Sequence, residues 1–441
     1  MNNFADLHLH ERLLKGLDEL KLTKPTPVQE QAIPLLLQGK DVRAIARTGS
    51  GKTAAFVLPL LHYCLENPQR IPLHRALILA PTRELARQIL QEVERFASYT
   101  FIKGILLTGG ENFKEQIAAL RKVPEIIIAT PGRLLEHISA KSLDLAEIEL
   151  LVLDEADRML DMGFAEDIQK ITDLCVDRKQ TMLFSATTGG NALREMVQAI
   201  LTNPEHLMLN KVADLNESTQ QQIITAESEQ HKQNLLKWLL ENETYRKAIV
   251  FTNTREKADF LYGRMEAAQV KVFVLHGEKD QSERRKALER FSQGSSRVLI
   301  ATDVAARGLD IEGVDLVINH DMPRSGDEYV HRIGRTGRAG EAGLAISLID
   351  HTEWNLMSSI QRYLKQQFEH RVIKGLKGGY MGPKKLKSSG KAVGVKKKKT
   401  TDKAIVTKKT RPTQHKPKTL QTQTENSSTD GFAPLRRRKS E

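Results

Sequence analysis

A phosphate-binding loop is indicated by the residues that run from Ala46 to Thr53. They follow an apolar stretch at 42–45 and lead into a helical pattern at 54–65. A strand, a glycine-containing loop and a helix N-terminus in this order present backbone N–H groups to phosphate. Lys52 would then reach the terminal phosphates, and Thr53 would be placed to hold Mg²⁺. The loop reads Ala46-Arg47-Thr48-Gly49-Ser50-Gly51-Lys52-Thr53.

The first position of this loop departs from the strict phosphate-loop pattern, because Ala46 stands where that pattern has glycine. A flexible Gly-Ser turn is therefore the competing interpretation. Gly51-Lys52-Thr53 between a strand and a helix favours the nucleotide site, since this context is specific for phosphate binding.

Two carboxylates with separate chemical roles follow a second strand pattern. The apolar run 150–153 leads into Asp154-Glu155-Ala156-Asp157. An acid at the carboxyl end of a strand beside a phosphate loop can hold a metal, so Thr53 and Asp154 are the predicted Mg²⁺ residues, mostly through water. Glu155 is positioned to orient and deprotonate an attacking water. The alternative is an ordinary helix N-cap, since carboxylates favour that end of the helix dipole.

The elements that must position these residues are short strands alternating with amphipathic helices. Apolar runs recur from 41–46 to 207–209 and again from 248–251 to 344–349, and longer helical patterns such as 84–97 separate them. Runs that are apolar on both faces indicate parallel sheets covered by helices on both sides. We therefore expect an α/β fold with domains at 1–210 and 220–370, a linker at 211–219 and a tail at 371–441.

The positive charge of the chain is concentrated in that tail. The whole sequence has 441 residues and a formal net charge of +12. Residues 371–441 hold 21 Lys and Arg against 4 Asp and Glu, a net charge of +17, and residues 1–370 carry a net charge of −5. With few large apolar residues, the tail is expected to be disordered from about Gly375. It is interpreted as a salt-sensitive tether for polyanions, the alternative being a solubilising extension.

Composition argues against several classes of protein. The apolar runs are far shorter than the roughly 20 residues that span a bilayer, so no membrane association is expected. The first residues have neither a basic start nor an apolar stretch, so no secretory signal is expected. Cys64 and Cys175 cannot form a disulfide framework or a four-cysteine zinc site by themselves. They are interpreted as buried thiols in a reducing cytoplasm.

The chain resembles the DEAD-box RNA helicases from about Phe4 to Lys365. The motif Asp154-Glu155-Ala156-Asp157 spells the name of this family. The resemblance implies two tandem RecA-like domains with parallel sheets, followed by the disordered basic tail. The matching motifs occur in the family's order. They are Pro25-Thr26-Pro27-Val28-Gln29, Pro81-Thr82-Arg83-Glu84-Leu85-Ala86, Gly109-Gly110, Thr130-Pro131-Gly132-Arg133, Ser185-Ala186-Thr187, Val250-Phe251-Thr252, Gln281-Ser282-Glu283-Arg284, Ala301-Thr302-Asp303-Val304-Ala305-Ala306-Arg307-Gly308-Leu309-Asp310 and His331-Arg332-Ile333-Gly334-Arg335-Thr336-Gly337-Arg338.

By this resemblance, ATP and Mg²⁺ are the cofactors. Gln29 would read the adenine edge, and Gly308 and Asp310 would contact the nucleotide, Asp310 through the ribose. The family usually has an aromatic residue at the position of Leu22 to stack on the base, so weaker nucleotide affinity is expected. The predicted catalytic residues are Lys52, Asp154, Glu155 and the arginine fingers Arg335 and Arg338. The residues expected to couple ATP to RNA are Asp157, Ser185, Thr187 and His331.

RNA contacts implied by the resemblance go mainly to phosphate and sugar, which position a strand without reading its bases. Little sequence preference is therefore expected, with RNA distinguished from DNA by its 2′-hydroxyl. The matching positions are Thr82, Arg83, Gly110, Thr130 and Arg133 in the first domain, and Thr252, Arg284, Thr302 and Asp303 in the second.

The expected activity is ATP-dependent unwinding of short RNA duplexes or remodelling of RNA–protein complexes. The stretches 161–164 and 321–327 are similar to helicases that act in assembly of the large ribosomal subunit, so pre-ribosomal particles are candidate partners. Messenger RNA decay and cold adaptation fit equally. Two rivals are an ATP-gated RNA clamp, which would have the same motifs, and a DNA translocase, which the full motif set argues against.

Overall fold

The computed structural model describes residues 3–46, 49–71, 73–187, 190–209, 219–279, 281–306, 313–337 and 342–383, together with 390 and 392. Within these ranges the chain forms two sheets of seven parallel strands. The fold predicted from the alternating apolar runs is therefore confirmed. Of the predicted segments, residues 211–218 and most of 384–441 lie outside the described ranges.

The first domain begins with a short 3-10 helix at Phe4–Leu7. Its seven strands, numbered in chain order, lie in the sheet in the order β3-β4-β2-β5-β6-β1-β7. Its strands are β1 (Val42–Ile45), β2 (Ala76–Leu79), β3 (Gly104–Leu107), β4 (Ile126–Ala129), β5 (Leu150–Leu153), β6 (Gln180–Ser185) and β7 (Glu205–Met208). Its helices are α1 (Glu11–Glu19), α2 (Pro27–Leu37), α3 (Lys52–Glu66), α4 (Arg83–Phe96), α5 (Phe113–Leu120), α6 (Pro131–Ser139), α7 (Ala156–Asp161), α8 (Ala165–Leu174) and α9 (Asn191–Ile200).

The second sheet has the order β10-β11-β9-β12-β13-β8-β14. Its strands are β8 (Thr219–Thr225), β9 (Lys247–Thr252), β10 (Val272–Leu275), β11 (Val298–Thr302), β12 (Val314–Asn319), β13 (Gly343–Ile349) and β14 (Glu369–His370). Its helices are α10 (Glu229–Asn242), α11 (Arg255–Ala267), α12 (Gln281–Ser292), α13 (Asp303–Ala306), α14 (Gly326–Ile333) and α15 (Trp354–Leu364).

Both faces of each sheet are buried under apolar clusters. Alternate side chains of a strand point to opposite sides, so one strand contributes to both clusters. On β2, Ile78 belongs to one apolar cluster and its neighbours Leu77 and Leu79 belong to the other. On β11, Ile300 belongs to the apolar cluster on one face of the second sheet and Leu299 belongs to the cluster on the other face. Each sheet is therefore a rigid platform, and the loops at the carboxyl ends of its strands carry the predicted motifs.

Strand β8 was not predicted from the sequence, where the apolar runs of the second domain begin at 248–251 and follow a linker at 211–219. Gln220 and Gln222 each donate a side-chain hydrogen bond to Glu369, at 2.7 and 3.0 Å, and Gln221 donates to Gln366 at 2.8 Å. The side-chain N–H groups of these three glutamines thus find acceptors far along the chain. Thr219, predicted as the last linker residue, is its first residue.

The second domain extends past the predicted boundary at 370. Phe368 stacks on Tyr329 with ring centroids 5.1 Å apart, and Ile373 is buried in the core. Beyond it, Gly379 N–H donates to Glu227 at 2.6 Å. The expectation of disorder from Gly375 is therefore wrong for the residues up to Pro383, because apolar side chains and backbone hydrogen bonds anchor this segment.

Both cysteines are buried and unpaired, as predicted. Burial raises the pKa of each thiol, Cys64 and Cys175, to about 12. Among the described residues, none of the helices combines the length and apolar character needed to cross a bilayer.

Candidate nucleotide and RNA site

The phosphate loop joins β1 to α3, and its glycines are required by the backbone. Gly49 and Gly51 have φ angles of +78° and +89°, which favour glycine. A Cβ atom on Gly51 would lie 2.5 Å from the Gln29 side chain, so no larger residue fits there. Lys52 opens α3 and donates from Nζ to the Ala46 carbonyl at 2.8 Å. Two predicted nucleotide residues, Arg47 and Thr48, lie outside the described ranges.

Gln29 is held over this loop by the first turn of α2. Its Oε1 accepts a hydrogen bond from the backbone N–H of Thr26 at 2.9 Å, and its Nε2 donates to the Gly51 carbonyl at 3.1 Å. The amide keeps one further N–H, so it can still present a donor to a bound base.

Asp154 and Glu155 are buried where β5 ends. Burial raises the pKa of Asp154 to about 7, although Lys52 opposes the shift. Glu155 behaves differently: burial alone would raise its pKa, but the charges of Arg158, Lys52 and Arg335 hold the pKa below its ordinary value. The adjacent carboxyl groups of Asp154 and Glu155 thus have pKa values shifted in opposite directions. Such differences are common in active sites, where each acid has its own chemical role.

Asp157 connects this acidic motif to two others. Its Oδ2 accepts hydrogen bonds from the Thr187 hydroxyl at 2.9 Å, from the Thr187 N–H at 3.0 Å and from the Ala186 N–H at 3.2 Å. His331 of the second domain approaches the same oxygen with Nε2 at 3.6 Å. Burial opposes ionisation of Asp157, but His331, Lys52 and Thr187 lower its pKa far below the ordinary value. Ser185 in turn donates to the Thr187 carbonyl at 2.6 Å.

A cleft of about 550 Å³ lies over the phosphate loop and the acids Asp154 and Glu155, and its volume is within the range of small-molecule sites. Its lining comes from the phosphate loop, from both acids and from the second domain, which supplies the buried Arg335. The predicted residues Gly308, Asp310 and Arg338 lie outside the described ranges. The cleft lining includes Leu22, Gln29, Gly49, Gly51, Lys52, Thr53, Asp154, Glu155 and Arg335.

The first-domain residues predicted to contact RNA meet around the loops after β2, β3 and β4. The Arg83 guanidinium lies against the backbone of Gly110, which has a φ of +79° and no room for a Cβ. Arg133 donates to the Thr108 carbonyl at 3.2 Å and to the Glu111 carbonyl at 3.1 Å. Thr82 caps α4 by accepting the Leu85 N–H. Thr130 is the N-cap residue of α6.

In the second domain, the predicted RNA residues are more strongly engaged by protein partners. Thr252 is completely buried and donates to the Thr254 carbonyl at 3.1 Å, whereas Thr302 keeps slight exposure at the end of β11. Asp303 accepts two hydrogen bonds from Arg332, at 2.7 and 2.6 Å. Arg284 instead pairs with a carboxylate of the first domain, Glu84, at 2.9 Å.

Two buried arginines belong to the site although the sequence analysis gave them no role. Arg158 donates to Glu155 at 2.6 Å. Arg332 bonds to Asp303, to Asn253 and to the Asp321 carbonyl. Arg158 directly follows the motif at 154–157, and Arg332 lies within the motif at 331–338. Their burial, which only the packing reveals, is the feature that distinguishes them from surface arginines.

Comparisons with known proteins agree with this geometry. The family model described as DEAD/DEAH box helicase matches residues 26–196, and the helicase conserved C-terminal domain matches residues 230–340. The ATP-dependent RNA helicase SrmB of Escherichia coli is 41% identical over 378 residues, which cover 86% of this chain and 85% of SrmB. The chain is a DEAD-box RNA helicase. It is accordingly an enzyme that hydrolyses ATP and acts on RNA.

Solved structures of a related protein have the same fold as this helicase. A single-residue variant of Saccharomyces cerevisiae Dbp5 bound to RNA and ADP BeF3 matches with a TM-score of 0.76 at 34% identity, covering 84% of this chain and 96% of that one. The same Dbp5 variant bound to Nup159, a Gle1 variant, IP6 and ADP matches with a TM-score of 0.56 at 33% identity, covering 82% and 95%.

Proposed function

We propose that this helicase cleaves ATP only when its second domain closes on the first, and that closure on RNA locally separates short duplexes. Hydrolysis then lets the domains part and releases the RNA. ATP and RNA therefore strengthen each other's binding, because each stabilises the closed arrangement.

One observation carries the proposal: residues from the second domain reach the acids of the first. Arg335 lines the cleft that contains Asp154 and Glu155, and His331 lies 3.6 Å from Asp157. Arg335 supplies positive charge where the transferring phosphoryl group gains negative charge. The reaction thus depends on closure, since the first domain alone lacks this arginine. By resemblance, Arg338 is assigned the same role.

Lys52 and Glu155 perform the remaining chemistry in the first domain. Lys52 leaves the Ala46 carbonyl and binds the terminal phosphates, an exchange that its flexible stem permits. Glu155 accepts a proton from the attacking water and orients it. Its lowered pKa keeps this carboxylate ionised, and Arg158 holds it in position.

Magnesium is the metal that the donor set fits. Asp154 is a buried carboxyl whose pKa is raised to about 7, so a nearby cation would favour its charged form. Thr53 contributes a hydroxyl to the same cleft, and oxygen ligands are those that Mg²⁺ prefers. When bound, Mg²⁺ would neutralise charge on the phosphates. The protein's part is to orient Asp154 and Thr53 toward it.

Asp157 transmits closure to the RNA-binding loops in this proposal. It is hydrogen-bonded to Thr187 and approached by His331, so a shift of the second domain changes the position of the loop at 185–187. Backbone phosphates are bound by Arg83, Gly110 and Arg133, together with Thr82, Thr130 and Thr302. Such contacts bend a strand irrespective of its sequence.

Pre-ribosomal RNA is the proposed physiological substrate. Support comes from the similarity of 161–164 and 321–327 to helicases of large-subunit assembly and from the net charge of +17 over 371–441, which suits a large polyanion. Crosslinking in cells followed by sequencing of the bound RNA tests this assignment, and enrichment of messenger RNA alone would contradict it.

The proposed chemistry is tested by Glu155→Gln, with the exposed-residue variant Glu115→Gln as the matched control. Glu155→Gln should bind ATP and RNA as the wild type does and lose about 10²- to 10⁴-fold in RNA-stimulated turnover. Glu115→Gln should retain turnover. Normal hydrolysis by Glu155→Gln would remove this residue from its role.

A further inference from the structure

The nucleotide cleft has a wall that no predicted motif accounts for. Six residues of α4 line it together with the phosphate loop, and five of them lie beyond the predicted motif at 81–86: Gln88, Gln91, Glu92, Arg95 and Phe96. Their spacing of three and four residues places them on one face of the helix. The cleft therefore extends along α4, away from the acids at the end of β5.

Leu22 lines the same cleft as this helix face. It is half-buried against the first core cluster, so its side chain is packed in place. An aliphatic group supplies apolar contact to a base but has no planar face on which a base can stack. A purine held against Leu22 thus needs a planar partner from another part of the cleft.

Two side chains of α4 that line the cleft together with Leu22 carry an extended planar group, Arg95 and Phe96. Phe96 is only 3% exposed and belongs to the core, so its ring faces are occupied by protein. The Arg95 side chain is 44% exposed and pairs weakly with Glu92 at 3.3 Å. Its guanidinium, 6.0 Å from the Phe96 ring centroid, is the planar group that remains accessible.

We propose that Arg95 is a nucleotide-affinity residue whose guanidinium stacks on the adenine base and supplies the planar contact that Leu22 cannot make. Guanidinium groups stack on aromatic faces through both charge and shape, and an ammonium group lacks the plane. The inference rests on the proposed function, since it requires ATP to bind in this cleft. It predicts that Arg95 acts on the base and not on the phosphates.

The experiment measures KM for ATP and inhibition by tripolyphosphate, which has phosphates but no base, in the full-length protein. Arg95→Ala should raise KM for ATP about three- to tenfold with kcat unchanged and leave tripolyphosphate inhibition unchanged. Arg95→Lys should behave like Arg95→Ala. Introducing a ring, as in the double variant Leu22→Phe with Arg95→Ala, should restore KM. Arg121→Ala removes an exposed arginine outside the cleft and should match the wild type.

Three outcomes would overturn the inference: unchanged KM in Arg95→Ala, an equal loss for ATP and tripolyphosphate, or wild-type KM in Arg95→Lys. The last two would assign the effect to charge. Lys52→Ala separates this failure from failure of the proposed function. If Lys52→Ala leaves ATP turnover and tripolyphosphate inhibition intact, the cleft itself is not the nucleotide site.

Discussion

Arg284 donates from Nε and Nη2 to a single oxygen of Glu84, at 3.1 and 2.9 Å, and so joins α12 of the second domain to α4 of the first. Both side chains are only about one-eighth exposed, at 12% and 13%. An ion pair with so little exposure is weakly screened by salt and penalises loss of either partner. It can therefore contribute to closure by direct contact between protein residues, apart from any RNA phosphate.

Charge reversal tests this pair. Glu84→Arg and Arg284→Glu should each lower RNA-stimulated ATP turnover about tenfold or more, and the combined reversal should recover most of the loss. The measurement is a double-mutant cycle on kcat/KM for RNA. Additive losses would instead assign Arg284 to RNA alone, as the sequence resemblance implied.

Removal of Arg158 should destabilise the first domain, because Glu155 would remain buried with its closest cationic partner lost. We expect Arg158→Met to lower the free energy of unfolding by about 3–5 kcal/mol, as measured by urea denaturation. Adding Glu155→Gln to that variant should recover part of the loss, since the buried charge is gone. Equal stability of Arg158→Met and the wild type would contradict the importance of this contact.

Gly110→Ala should impair RNA binding selectively. An added Cβ at a φ of +79° is strained and collides with the Arg83 guanidinium, so the loop after β3 must shift. RNA concentration at half-maximal ATPase stimulation should rise about tenfold, while KM for ATP without RNA stays unchanged. The control is Gly263→Ala, which meets no atom within 4 Å. A parallel rise in both constants would point to general damage.

Asp321 makes stability depend on pH. Burial opposes its ionisation, but His320, Lys257 at 2.5 Å and the Asn253 N–H lower its pKa far below the ordinary value. A carboxylate whose pKa is lowered by folding stabilises the protein above its unfolded pKa of about 3.9, and the contribution disappears as pH falls further. Asp321→Asn should therefore be less stable at pH 7, with the difference shrinking below about pH 4. A constant difference across that range would exclude this linkage.

Two truncations separate the anchored segment from the basic tail. Ending the chain after Ala392, which keeps the hydrogen bonds of Gly390 and Ala392 with α15, should preserve thermal stability and RNA-stimulated ATPase, but weaken RNA binding and flatten its salt dependence. Ending it after Gln367 removes Phe368, β14 and Ile373 and should cost several kcal/mol, since loss of one buried Phe alone costs about 3–5 kcal/mol. Loss of ATPase in the variant that lacks only the tail would contradict this division. Full stability of the chain that ends after Gln367 would also contradict it.

The local sequence pattern was sufficient to predict most strands and the functional residues that follow their carboxyl ends. The runs at β2, β4 and β5 are apolar on both faces, which only a covered parallel sheet satisfies. Asp154 follows β5 directly and Lys52 follows β1 after a loop of six residues, so their meeting at one sheet edge was predictable. Strand β8 was not, because its glutamines donate hydrogen bonds to Gln366 and Glu369, nearly 150 residues away.

Contacts between distant segments depend on the tertiary structure. The sequence determined that Arg284 and Glu84 are charged and that each lies in a motif, but only packing of the two domains decided that they bind each other. The same holds for Arg95, whose position on the nucleotide cleft follows from how α4 packs beside the phosphate-loop helix. Sequence spacing determines neighbours within one helix or strand, whereas burial and pairing between elements depend on which faces the core brings together.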